Sequence, residues 1–221
     1  MNAARIAYGA NWVFMSRRRG STLFPRSAAK TRRRFAESGI GEPHYVTAVV
    51  RPPQGVAERL FEAASRLDGT QPGHYLYPRE SIHLTVLGLA DRVGIEEEVR
   101  DVAKGSLPFG VEVGGLNLSA ETVFAELYPV GSGLLELREG LRSLESHEHG
   151  TISRWIRRRI AHANLIRFRA PIDAGMVAEV GRMRRASFGE FEVEEVELVH
   201  TDKVMSSEGT RTLARCPLQL G

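Results

Sequence analysis

The chain has 221 residues, 42% of them hydrophobic, and 30 basic against 27 acidic side chains give a formal net charge of +3. That length supports one large domain or two small lobes around a real core, and no stretch approaches the ~18 consecutive apolar residues of a membrane span, so no membrane partner is expected. A single cysteine, Cys216, excludes an internal disulfide and a thiolate metal cluster, and it suits a reducing, cytoplasmic location.

The charge is unevenly spread. Residues 1 to 41 hold nine basic residues and Glu37 alone, a local net of +8, which leaves −5 for the rest. This stretch lacks sustained periodicity, is rich in Arg, Ser, Ala and Gly, and ends in the chain-breaking Ser38-Gly39-Ile40-Gly41-Glu42-Pro43. Residues 1–42 are therefore expected to form a basic, disordered N-terminal extension. An Arg-rich, acid-poor arm of this kind suits nucleic-acid binding or organelle targeting.

The folded domain is expected over 43–221. Tyr45 to Val50 reads as a strand, Pro52-Pro53 breaks it, and Val56 to Leu67 places Val56, Leu60, Ala63, Ala64 and Leu67 on one helical face. Tyr75 to Tyr77, the segment from Ser81 to Leu89, and a helix from about Ile95 to Ala103 complete a first half. The second half repeats it coarsely. Val111 to Leu118 and Thr122 to Pro129 read as strands, Leu134 to Leu144 as a helix, Ile160 to Phe168 as a strand and Ala174 to Met183 as a helix. Phe191 to Lys203 alternates over one long strand or two pieces, and the segment holding Cys216 reads as a final strand. Strands outnumber helices and connections are short, which predicts an antiparallel α+β fold.

Two strand segments carry matching chemistry. In Ser81-Ile82-His83-Leu84-Thr85-Val86-Leu87 and Ile160-Ala161-His162-Ala163-Asn164-Leu165-Ile166, a histidine is followed two places later by a hydrogen-bonding residue. Side chains alternate along a strand, so His83 and Thr85 project together, as do His162 and Asn164. Side by side, two such strands give two imidazoles to move protons and two polar groups to hold an anion. A third match, His149-Gly150-Thr151, lies in a polar loop without strand character, and His147-Glu148-His149 has no third ligand at a recognisable spacing. The chain has no Gly-x-Ser-x-Gly elbow, no phosphate loop, no strand-linked Gly-x-Gly-x-x-Gly and no His-Glu-x-x-His. Tyr75 and Tyr77 could stack on a base or pack in the core, and the run Arg154, Arg157, Arg158, Arg159 could guide a polyanion or coat a solvated helix face.

On Pro78 to Gly88 and His162 to Arg167, with the two histidines 79 residues apart, the chain from His44 onward resembles the two-histidine (2H) phosphoesterase superfamily, which contains the 2′-5′ RNA ligase-like proteins and RNA cyclic phosphodiesterases. The resemblance implies a bilobal, pseudo-twofold α+β fold: two antiparallel sheets with outer helices, and the motif strands facing each other across a central cleft. It implies a metal-independent enzyme without cofactors, acting as a monomer, that opens 2′,3′-cyclic phosphates of RNA ends or nucleotides or, in reverse, joins 2′-5′ ends. His83 and His162 take the catalytic places, and Thr85, Asn164 and Arg167 the phosphate-binding ones. Asn164 departs from the Thr or Ser usual at that point. Arg167, five residues beyond His162, reaches the same face only if the strand twists, bulges or ends there. The alternative is a catalytically weakened RNA- or nucleotide-binding protein on the same scaffold.

Overall fold

The computed structural model of the chain describes residues 3–17, 45–145 and 160–219. In chain order the elements are α1 (Ala3–Arg17), β1 (Tyr45–Val50), α2 (Gln54–Thr70), β2 (Tyr75–Leu76), β3 (Leu84–Leu89), α3 (Ile95–Lys104), β4 (Phe109–Leu118), β5 (Thr122–Pro129), α4 (Gly133–Gly140), β6 (Ala161–Arg167), α5 (Ala174–Arg182), β7 (Gly189–Val193), β8 (Glu195–Thr201) and β9 (Arg211–Pro217). They build two antiparallel sheets, a first in the order β3-β1-β8-β9 and a second in the order β2-β6-β5-β4-β7.

Local chemistry explains most of these elements. The helical face of α2 buries Val56, Leu60, Ala63, Ala64 and Leu67, as its spacing dictates. In α3, three glutamates occupy the first turn and Lys104 the last, each on the favourable end of the helix dipole. Asp173 caps α5 by accepting from the Met176 N–H at 2.8 Å, which stabilises such a helix by about 1 kcal/mol. The expected strand from Phe191 to Lys203 is two strands, broken at Glu194, with β7 in the second sheet and β8 in the first. Alternating strands send Val46, Ala48, Leu84 and Val86 of the first sheet, and Val111, Val123, Ala125, Ala163 and Leu165 of the second, into one continuous core with α2, α3 and α5. Gly115 marks a close approach in β4, because a Cβ there would run into the Arg184 carbonyl group.

The N-terminal region differs from expectation in its first part. Instead of a disordered extension, residues 3–17 form α1, whose Ala4, Tyr8 and Met15 are buried against the body. The basic residues from Arg18 to Arg34, the loop with His147, His149 and Thr151, and the arginines 154 to 159 lie outside the described residues. Among the described residues no helix is long and apolar enough to cross a membrane.

Candidate active site

β3 and β6 meet across the gap between the sheets. His83 sits one residue before β3, at the end of a 3-10 turn over Arg79–Ser81. Its Nδ1 is 2.7 Å from the Ser81 carbonyl oxygen, an acceptor, so Nδ1 carries the hydrogen and Nε2 is the basic nitrogen. Thr85 follows on the same side, while Leu84 and Val86 turn into the core. On β6, Ala161, Ala163 and Leu165 are buried, and His162 and Asn164 face the opening.

The arginine expected on the wrong face reaches the right one through a bulge. Phe124 of β5 pairs with Asn164 and Val123 pairs with Ile166, so Leu165 is skipped in the ladder. The extra residue restores Arg167 to the face of Asn164. The first motif does the same: Thr85 pairs with Val49 and Leu87 with Ala48, skipping Val86, which returns Gly88 to the face of Thr85. Both bulges lie three residues after their histidine. This is the pseudo-twofold relation at residue level.

His83, Thr85, Gly88, Asn164 and Arg167 line one cleft of about 630 Å³, together with Tyr45, Thr47, Tyr77 and the segment from Thr201 to Met205. His162 stands at its side, with its ring edge-on to Phe124 at 5.3 Å between centroids. Burial, then the nearby positive charge of Arg51, pushes the His83 imidazole down to about 4, against the hydrogen bond it donates to the Ser81 carbonyl. Loss of water to the cleft walls, then the positive charges of Arg138 and Arg167, lowers His162 as well, although an open edge keeps that ring in contact with solvent. Without a ligand both rings are neutral at pH 7. A negative charge placed beside either ring would act in the opposite direction, favouring the imidazolium.

Several groups that motif reasoning did not single out hold this geometry. Arg138 of α4 donates to the carbonyls of Val86 at 2.9 Å, Thr85 at 3.0 Å and Ile160 at 3.2 Å, tying the two motif segments together. In the sequence it reads as an ordinary polar helix position. Tyr8 of α1 donates its hydroxyl to the Ala161 carbonyl, beside His162. Arg167 is aimed by the Tyr77 hydroxyl at 3.1 Å and the Glu121 carboxylate at 3.2 Å, which keep it charged and leave it on the cleft wall. Tyr77 is thus buried and oriented toward Arg167, with Tyr75 edge-on to it at 5.2 Å. Cys216 is buried, away from the cleft lining, and burial raises its thiol. Among the described residues, no cluster of three or more His, Cys, Asp or Glu is placed to hold a metal.

No protein-family model and no curated protein matches the chain. Solved structures do. TT0787 of Thermus thermophilus is 22% identical with a TM-score of 0.59, covering 80% of this chain and 99% of its own. E. coli LigT complexed with ATP is 17% identical with a TM-score of 0.56 over the same shares of the two chains. A structure described as a phosphoesterase is 16% identical with a TM-score of 0.52, again covering 80% of this chain and 99% of its own. These structures belong to the 2H phosphoesterase superfamily, and the chain has their α+β fold.

Proposed function

We propose that this chain, on the scaffold of the 2H phosphoesterases, is a metal-independent phosphodiesterase that opens 2′,3′-cyclic phosphates of RNA ends or nucleotides. The carrying observation is the convergence of His83, Thr85, Asn164 and Arg167 on one cleft from two sheets, with His162 at its edge. E. coli LigT has been captured with ATP, with phosphate and with 3′-AMP, ligands of the same chemical kind. In the reaction, the neutral imidazole of one histidine takes a proton from water as the water oxygen bonds to phosphorus. The bond from phosphorus to one ribose oxygen breaks, and the other histidine, protonated once the phosphate is bound, delivers its proton to that oxygen. The product is a phosphomonoester and a free hydroxyl. Thr85, the Asn164 amide and Arg167 hold the non-bridging oxygens as charge builds on them. With the 5′-hydroxyl of a second strand in place of the water and the ribose 3′ oxygen as the leaving group, the same proton transfers join 2′-5′ ends.

His83→Ala and His162→Ala should each lower kcat/KM on a cyclic-phosphate substrate by at least about 100-fold, with unchanged circular dichroism and no loss of wild-type activity in EDTA. Full activity in either mutant overturns the mechanism, and strong inhibition by EDTA overturns its metal independence. Asn164, longer than the expected Thr or Ser, favours a second reading in which the cleft binds nucleotides without turning them over. In that case wild type binds a 3′-phosphorylated nucleotide yet leaves every cyclic phosphate intact.

A further inference from the structure

The two halves of the cleft are unequally open. The first sheet and its loop supply most of the cavity wall, whereas the second sheet contributes Asn164 and Arg167, at one side of β6. Directly paired residues of antiparallel strands share a face. The face that carries His162 and Asn164 therefore continues through their partners Glu126 and Phe124 on β5 to Asn117 on β4, and on to Tyr128 and its partner Glu112. α1 lies on that continuation. Arg5 pairs with Glu112 at 2.8 Å and sits 4.4 Å from the centre of the Tyr128 ring. The Tyr8 ring packs against Phe124 and, edge-on, against Tyr128, at 6.1 and 5.6 Å between centroids. Asn11 donates to Asn117 Oδ1 at 3.2 Å and to the Leu118 carbonyl at 2.7 Å, and Asn117 returns a bond to the Tyr8 carbonyl at 3.1 Å.

A sheet face with two aromatic rings beside a phosphate site is a stacking platform for successive bases. Here both rings are already covered, Phe124 by Tyr8, and Tyr128 by Tyr8 and the Arg5 guanidinium. We propose that α1 sets the length of substrate the site admits: a cyclic phosphate on one or two nucleotides lying over the first sheet is accepted, and a strand that must continue across β5 and β4 is refused. The open volume of about 630 Å³ is that of a small-molecule site. The inference rests on the phosphodiesterase reading above and adds its substrate class.

The test uses the full chain with a cyclic mononucleotide and a roughly ten-nucleotide RNA ending in a 2′,3′-cyclic phosphate, and measures affinity for the matching 3′-phosphate forms alongside turnover. Wild type should favour the mononucleotide in kcat/KM by about tenfold or more. The triple variant Arg5→Glu, Tyr8→Ala, Asn11→Ala, with release of α1 verified by hydrogen exchange, should raise the long-to-short ratio by about fivefold or more. Arg5→Glu alone breaks the exposed pair with Glu112 and uncovers one side of the Tyr128 ring while Tyr8 and Asn11 stay in place, and should move the ratio the same way by less. A ratio unchanged by release of α1, or a wild type that takes both lengths equally, overturns the inference. Absence of turnover on both lengths sinks the phosphodiesterase reading instead. The 3′-phosphate affinities then decide the role of α1: a length preference relaxed in the variant supports it, and none in wild type refutes it.

Discussion

His83 shows how a residue's surroundings fix what it can do. Its Nδ1 hydrogen is committed to the Ser81 carbonyl, the residue is 7% exposed, and its pKa is pushed down to about 4. A histidine neutral in the fold but ordinary when unfolded takes up fewer protons folded than unfolded between those two values. Its stabilising contribution is therefore complete above about pH 6.5 and is lost as pH falls toward 4, by about 2–3 kcal/mol at the lower end. Denaturant titrations at pH 7 and pH 4.5 should show wild type losing that much more stability than His83→Gln. A parallel loss in both proteins would mean that the ring is protonated in the fold. That His83 shares a side with Thr85, and His162 with Asn164, was legible in the sequence because strand alternation alone puts each pair on one face. Arg138 was not, because nothing in Leu134-Leu135-Glu136-Leu137-Arg138 distinguishes a side chain reaching three carbonyls from one pointing at water.

At the scale of elements, Arg138 makes α4 a brace between β3 and β6. Burial lowers its guanidinium to about 10, which leaves it charged at neutral pH. Arg138→Met removes the partner of three carbonyls at once and should cost about 2–4 kcal/mol, read from the urea midpoint. Activity should fall with it, and Arg138→Lys, which keeps the charge but not the fork, should recover only part of both. Equal stability in all three proteins would show that the carbonyls find other partners. Most strands and helices were readable to within a few residues because period and burial agree. α1 was not, although Ala4, Tyr8, Asn11, Trp12 and Met15 step along one face. That stripe mixes polar with apolar residues and leads into an arginine-rich run, and it becomes a helix against the body because the second sheet offers Phe124, Tyr128 and Asn117 to receive it.

At the scale of the whole molecule, the site exists only where the two sheets meet, with its histidines 79 residues apart in the chain. One continuous core holds both sheets, so the lobes should unfold together. Loss of activity and loss of circular dichroism in urea should coincide, and activity lost well ahead of secondary structure would show the lobes parting first. The residues skipped at Val86 and Leu165 bear on how such chains are recognised. Each inserts half a period into its strand, so the groups facing the cleft recur at offsets of 0, 2 and 5 from the histidine rather than 0, 2 and 4. A search template with that phase slip captures Gly88 and Arg167 as counterparts, one leaving room and the other supplying charge. A strict two-residue alternation would have assigned both to the core.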